Sequence, residues 1–103
     1  MTGELEQAVM DILWSRPEAL SVREVHELLA PERDLAYTTV MTVLDRLSKK
    51  DLVVRNLDGR AWLYRAAKSR AAEVASEVLD LLNRLDAQER SEVLSAVNAA
   101  VHT

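Results

Sequence analysis

Three threonines in the middle of the chain, followed by several cationic side chains, have the clearest potential for chemistry. Thr38, Thr39 and Thr42 lie within five positions, although threonine is a poor helix former. A threonine hydroxyl can hydrogen-bond to a DNA base edge or a phosphate, and its methyl group can contact the thymine methyl group. Arginine can bind guanine or phosphate through two donors, whereas lysine pairs with phosphates as a point charge. The pattern therefore favours recognition of a polyanion such as duplex DNA.

These side chains share one predicted helix with an apolar stripe. At 100° per residue, the core side of this helix carries Val40, Val43, Leu44 and Leu47. The candidate base-contacting residues lie on other sides of the helix, and they are Tyr37, Thr38, Thr39, Met41, Thr42 and Arg46. The candidate phosphate-binding residues are Lys49, Lys50, Arg55 and Arg60.

A solvent-exposed helix face is the alternative interpretation of the same residues. One threonine can serve as an N-cap, but three need a further role because of their low helix propensity. Asp45 argues against DNA on this face, since a carboxylate repels phosphate; an ion pair with Lys49 one turn later would offset its charge. For Arg55 and Arg60, an ordinary solvated turn is the alternative.

Three short helices are predicted to position these residues. The first spans about Glu4–Ser15, where apolar residues recur at helical spacing. Ser21 and Glu24 match a capping box, which predicts the start of the second helix. The third helix extends from about Ala36 to Lys50. Three amphipathic helices with short connections predict a compact tri-helical core.

A β-hairpin is predicted after the third helix. Residues 52–55 and 61–65 are rich in β-branched and aromatic side chains, and Asp58-Gly59 between them is a strong two-residue turn signal. With that turn, Arg55 faces Trp62, which allows a cation–π contact. An isolated hairpin is marginally stable in water, so we expect it to pack against the third helix.

Three helices followed by a two-stranded hairpin are typical of a winged helix-turn-helix. We therefore expect a mainly α fold with a small two-stranded β-wing over residues 1–67. In helix-turn-helix proteins the N-terminal half of the second helix of the motif reads bases. Residues 37–42 occupy that position.

Residues 68–103 carry two further apolar helical stripes, separated by a second capping sequence at Asp86 and Glu89. A tri-helical core with a wing is already compact, so these stripes require another surface. We expect a C-terminal helical dimerisation arm that pairs two chains about a two-fold axis. The alternative is an arm that folds back on its own domain. The candidate dimerisation residues are Val74, Val78, Leu81, Leu82, Leu85, Val93, Leu94 and Val97.

The charge distribution is uneven along the chain. The net charge is −4, yet residues 35–70 hold eight Lys and Arg against three Asp and Glu. Binding to a polyanion depends on local rather than total charge. A basic middle third that arose by chance is the alternative explanation.

Several classes of function lack their residues in this sequence. There is no cysteine, which removes disulfides and zinc–thiolate sites, and there is no Gly-rich phosphate loop. His26 lies in a glutamate-rich helix and is expected to be solvated. No apolar run approaches the roughly 18 residues of a membrane-spanning helix. We expect a cytoplasmic protein that is not an enzyme and has no cofactor, metal or membrane partner.

Several segments resemble the BlaI/MecI penicillinase-repressor family of bacterial winged-helix regulators, also called CopY/TcrY-type repressors. The resemblance covers about residues 4–66. The matching segments are LEQAVMDILW at 5–14, VREV at 22–25, AYTTVMTVLDRL at 36–47, the lysine pair at 49–50 and WLY at 62–64.

The resemblance implies a homodimeric repressor that blocks transcription by occupying a palindromic operator. In members that respond to β-lactams, a membrane sensor triggers proteolysis at an Asn-Phe bond in the arm, and this chain contains no phenylalanine. Copper-responsive relatives use a Cys-rich C-terminal metal site, and this chain contains no cysteine. The resemblance therefore identifies neither an inducing signal nor an upstream sensor or protease.

Together these observations predict a sequence-specific DNA-binding transcriptional repressor that binds a palindromic double-stranded operator as a homodimer. The alternative is a winged-helix protein–protein interaction module without specific DNA binding, in which the third helix docks on a partner protein.

Overall fold

The computed structural model describes residues 3–102 and contains five helices and three strands in that range. One compact unit ends at Ser69 and a second begins at Arg70. In chain order the elements are α1 (Glu4–Trp14), β1 (Leu20–Ser21), α2 (Val22–Leu29), α3 (Tyr37–Lys49), β2 (Val53–Asp58), β3 (Ala61–Ala66), α4 (Arg70–Leu82) and α5 (Ala87–Val101).

Local signals set where the helices of the first unit begin. The predicted capping box of α2 is confirmed: the Glu24 N–H donates to Ser21 Oγ at 3.1 Å, and the Ser21 N–H donates to the Glu24 carboxylate at 3.0 Å. The N-cap of α3 is Ala36, whose backbone is extended. The threonines of α3 are therefore not used as helix caps, which removes one alternative explanation for their presence.

The core of the first unit is built from α1, α2, α3 and the hairpin. The largest fully buried side chains are Val9, Val25, Val40, Leu44 and Leu47. From the hairpin, Val53 and Tyr64 join the same cluster. The hairpin therefore packs on the helices, as its low stability in isolation requires.

The sheet has three antiparallel strands in the order β1-β3-β2, one more than the two predicted. The additional strand is β1, whose residues Leu20 and Ser21 pair with Tyr64 and Leu63. Two residues are too few to show an alternating apolar pattern, which is why the sequence did not predict this strand. Because Leu20 is buried and Ser21 caps α2, β1 connects the hairpin directly to the start of α2.

The hairpin register also differs from the prediction. Asp58 pairs with Ala61, so the two turn residues are Gly59 and Arg60 rather than Asp58 and Gly59. Gly59 has φ of 63° and occupies the first turn position, where type II′ turns place glycine. As a result Arg55 lies opposite Tyr64 instead of Trp62.

The second unit contains α4 and α5. The predicted start of α5 at Asp86 is confirmed, and a capping box forms there: the Glu89 N–H donates to Asp86 Oδ1 at 2.8 Å and the Asp86 N–H donates to the Glu89 carboxylate at 3.1 Å. Among the candidate dimerisation residues, Leu82 is only 8% exposed. It packs within the chain, so the structure does not present it to a partner as expected.

Candidate nucleic-acid interface

The outward side of α3 is accessible along its length. Its core side is buried, as the helical periodicity predicted. Thr39 is half-buried between the two sides. We call the exposed set the recognition face, and it consists of Tyr37, Thr38, Met41, Thr42 and Arg46.

The hydroxyl of Thr42 is already engaged within the helix. It donates to the backbone carbonyl of Thr38 at 2.9 Å. Its single proton is therefore used, while its oxygen lone pairs and its methyl group remain available. In this state Thr42 can accept a hydrogen bond from the amino group of adenine or cytosine, or contact the methyl group of thymine.

His26 fixes the chain just before the recognition face. Its Nε2 lies 2.7 Å from the carbonyl oxygen of Leu35, two residues before α3. Since a carbonyl only accepts, this nitrogen carries the proton. The ring also meets Tyr37 edge-on, with centroids 6.0 Å apart. His26 is half-buried, so the expectation of a solvated imidazole was wrong.

Asp45 and Lys49 form the predicted ion pair, with an Nζ–Oδ2 distance of 3.0 Å. Both side chains are substantially exposed, and pairs of this kind exchange readily with solvent. Lys49 therefore offsets the negative charge of Asp45 on this side of α3. Because the pair is exposed, Lys49 can also leave Asp45 and pair with another anion, such as a phosphate.

The wing places two arginines beside α3. The Arg55 guanidinium lies 4.4 Å from the ring centroid of Trp62, so the predicted cation–π contact is confirmed despite the changed register. Trp62 is two residues from Tyr64 on the same strand and therefore on the same side of it, within diagonal reach of Arg55. Arg60 lies in the exposed turn.

A groove of about 690 Å³ separates the recognition face from the wing. It brings together Tyr37, Met41 and Thr42 of α3 with Arg55 and Arg60 of the wing. The structure adds residues that had no predicted role in this site, namely Arg23 at the start of α2 and Trp62 on β3. Arg23 reaches the groove because β1 brings the start of α2 next to the hairpin.

Lys50 occupies a different environment from Lys49. Its Nζ lies 2.9 and 3.1 Å from the two carboxylate oxygens of Glu6, a residue of α1 that is only 5% exposed. Arg46 Nη1 lies 3.6 Å from the same carboxylate. The hydrogen bond from Lys50 lowers the pKa of Glu6 below its ordinary value of 4.5; burial opposes this shift, and the charges of Lys50 and Arg46 add to it. The structure therefore engages Lys50 within the chain, in contrast to its expected role as a free phosphate contact.

Glu6 was not among the candidate residues. The buried positions of α1 are Glu6, Val9, Met10 and Leu13, which follow the i, i+3, i+4, i+7 pattern of a core-facing stripe. An acidic residue at the first position of such a stripe is the signal that sequence analysis could have used.

Within residues 3–102, no three His, Asp or Glu side chains gather as potential metal ligands. Over the same range, no helix combines the length and apolar character needed to cross a membrane.

Comparison with known proteins gives relatives in sequence and in structure. "Transcriptional regulator BlaI" of Mycobacterium tuberculosis is 56% identical over 80 residues, which is 78% of this chain and 58% of that protein. The chain thus spans less than two thirds of the length of this relative.

Two solved structures share the fold at low sequence identity. The PcaV transcriptional regulator of Streptomyces coelicolor, in complex with its natural ligand, has a TM-score of 0.55 and 22% identity over 99% of this chain and 76% of that one. A mutant of Staphylococcus aureus MepR bound to an oligodeoxyribonucleotide has a TM-score of 0.52 and 16% identity over 94% of this chain and 76% of that one. These likenesses establish the winged-helix fold.

The family model described as "Penicillinase repressor" matches residues 2–101, nearly the whole chain. Together with the sequence identity to the mycobacterial regulator, this match shows that the chain belongs to the penicillinase repressor family.

Proposed function

We propose that this chain is a sequence-specific DNA-binding transcriptional repressor that occupies a palindromic operator as a homodimer. The observation that carries the proposal is the exposed recognition face of α3, flanked by the arginines of the wing across one groove. Family membership and the DNA-bound winged-helix neighbour support it. The relatives are regulators, so the chain is not an enzyme.

In this proposal α3 enters the major groove, which is wide enough to admit a helix. Tyr37, Thr38, Met41 and Thr42 reach base edges from the N-terminal half of the helix, with Thr39 at their margin. Arg46, one turn after Thr42, binds guanine or a phosphate through its guanidinium fork.

Phosphate contacts are supplied by cations around the recognition face. Lys49 can exchange its weak ion pair with Asp45 for a phosphate. Arg55 and Arg60 extend the positive surface along the wing, where the Arg55 guanidinium lies over the Trp62 ring. Such contacts fix the register of the protein on the duplex without reading its sequence.

The second unit supplies dimerisation in this proposal, with residues 1–67 binding DNA and residues 68–103 pairing the chains. Exposed apolar side chains on α4 and α5 favour association with a second copy. A two-fold dimer would place two recognition helices on half-sites one helical turn apart and exclude polymerase from the promoter. We propose that the protein acts in the cytoplasm, as a regulator of bacterial DNA would. Of the candidate dimerisation residues, the exposed ones are Val74, Val78, Leu81, Val93, Leu94 and Val97, while Leu85 is half-buried.

A protein–protein interaction module is the second candidate. Three large apolar or aromatic side chains, those of Tyr37, Met41 and Trp62, line the groove between α3 and the wing and are exposed there. An apolar segment of a partner protein would fit such a surface. This function would require no DNA and would show little dependence on salt.

Selection of bound duplexes from a random DNA pool, followed by the stoichiometry of binding to the enriched sequence, tests the proposal. We expect an enriched palindrome that binds two chains with an affinity that falls steeply with salt. Enrichment of no sequence, together with no salt-dependent binding to any duplex, would contradict the repressor and favour the interaction module.

A further inference from the structure

Two adjacent lysines at the end of α3 pair with carboxylates that differ in their exposure to solvent. Lys49 is 77% exposed and pairs with Asp45, itself 44% exposed. Lys50 pairs with Glu6, whose side chain is only 7% exposed. The partners therefore differ in access to water although the cations are neighbours in sequence.

This difference decides which lysine is free to bind a phosphate. Asp45 can be solvated as soon as Lys49 leaves, so exchange of Asp45 for a phosphate costs little. Glu6 is enclosed, and departure of Lys50 would leave a buried carboxylate without its closest partner. The other cation beside it, Arg46, has its Nη1 3.6 Å away, beyond hydrogen-bond distance. A buried carboxylate without a close partner is strongly unfavourable, so Lys50 remains on Glu6 when DNA approaches.

The same carboxylate also attracts Arg46. Arg46 Nη1 lies 3.6 Å from Glu6 Oε1, while the side chain is 55% exposed. A guanidinium has five N–H donors in a planar fork. The donors that do not face Glu6 remain available to a base or a phosphate, while attraction to the carboxylate favours positions of the guanidinium close to Glu6.

We propose that Glu6 is a positioning residue for DNA binding. Its carboxylate keeps Lys50 away from the phosphates and draws the Arg46 guanidinium toward α1. The inference rests on the proposed function. It gives α1, which carries none of the candidate contacts, a part in the interface. In electrostatic terms, Glu6, Arg46 and Lys50 together present one net positive charge to DNA instead of two.

The salt dependence of DNA binding measures this directly, because affinity falls as salt rises and each cation that neutralises a phosphate makes that fall steeper. The slope of log affinity against log salt is negative; quoted below as its magnitude, it grows by about 0.9 for each such cation. The wild-type chain is compared with Glu6→Gln, the double variant Glu6→Gln/Lys50→Gln and the matched control Lys49→Gln. A single non-operator duplex is titrated at about 50 and about 200 mM salt.

Glu6→Gln should free Lys50 and raise the slope by about 0.9, so that affinity falls about 3.5-fold more than in wild type over this range. Removing Lys50 as well should return the slope to the wild-type value. Lys49→Gln should lower the slope by about 0.9. A general structural defect from the loss of Glu6 would not produce an increase that depends on Lys50.

Absence of salt-dependent binding by the wild-type chain would refute the proposed function itself. If wild type binds, an unchanged slope in Glu6→Gln, or a raised slope that persists in the double variant, overturns the role of Glu6 alone. Circular dichroism melts establish that each variant is folded. Should Glu6→Gln fail to fold, the double variant decides: a slope about 0.9 below wild type would mean that Lys50 contacts phosphate after all.

Discussion

The guanidinium of Arg55 lies 4.4 Å from the ring centroid of Trp62 across the hairpin, although Arg55 pairs directly with Tyr64. Trp62 is 41% exposed and lies outside the core cluster, so we expect its main contribution to be the contact with Arg55 beside the groove. Through this diagonal contact, the residue at position 62 influences where the Arg55 guanidinium lies at the proposed DNA interface.

Trp62→Ala should weaken binding to operator and non-operator duplexes alike. An exposed cation–π contact contributes about 0.5–1 kcal/mol. If that free energy serves to keep Arg55 in position for a phosphate, its loss lowers DNA affinity about two- to fivefold. The comparison is a double-mutant cycle with Arg55→Ala, measured by fluorescence anisotropy. Trp62→Ala should have no further effect once Arg55 is gone; an equal loss in both backgrounds would show that Trp62 acts without Arg55.

The hairpin shows how far sequence reasoning extends. Its existence was predictable from β propensity and the Asp58-Gly59 signal, and its packing on the helices from the low stability of an isolated hairpin. The Arg55–Trp62 contact was predicted from direct pairing but forms along the diagonal instead. The register was not predictable, because a glycine at either turn position satisfies that signal. The turn moved by one residue, which moves the pairing by two and keeps every side chain on its predicted side of the strand.

Thr42→Ala should weaken operator binding by about 1–3 kcal/mol while leaving affinity for a non-operator duplex nearly unchanged. Thr42 is exposed and its hydroxyl proton is bound to the Thr38 carbonyl, so the loss reflects a missing acceptor or methyl contact to a base. Isothermal titration with both duplexes measures the difference. Equal loss on both duplexes would place Thr42 on the phosphate backbone instead.

Arg46→Lys tests whether the guanidinium fork or only the charge is needed. Lysine keeps the positive charge but cannot make two parallel hydrogen bonds. We expect operator affinity to fall by about 1–3 kcal/mol with no change in the slope of affinity against salt. An unchanged operator affinity would show that Arg46 acts as a phosphate contact without base recognition.

The ion pairs show what the sequence could not provide. Asp45 and Lys49 were predictable because they lie one turn apart on a single helix. The Glu6–Lys50 pair joins residues 44 positions apart, and only the packing of α1 against α3 brings them together. Sequence reasoning therefore treated two adjacent lysines as equivalent, whereas their partners make them different.

The stability difference between wild type and Glu6→Gln should depend on pH. The pKa of Glu6 is lowered in the folded chain, chiefly by the hydrogen bond from Lys50, so its ionised form stabilises the fold. This contribution is fully present above the ordinary pKa of 4.5 and is lost as pH falls through the lowered folded value.

Urea unfolding of both proteins from neutral pH down into the acid range checks the prediction. The wild-type advantage should be constant at the upper end and shrink toward zero at the acid end. An advantage that does not change with pH would mean that packing of the Glu6 side chain, and not its charge, stabilises the wild-type protein.

Leu94→Glu should dissociate the proposed dimer without unfolding the chain. Leu94 is exposed on α5 in line with Val97 and Val101, so a carboxylate there would have to be buried in the interface without a partner. Ser95→Glu is the matched control, because it adds the same charge to the same helix about 100° away from Leu94. Sedimentation equilibrium should give a monomer for Leu94→Glu and a dimer for Ser95→Glu.

Since each monomer presents one recognition helix, Leu94→Glu should also lose most of its preference for a palindrome over a single half-site. A Leu94→Glu chain that stays dimeric would mean that the apolar residues of α5 lie outside the interface.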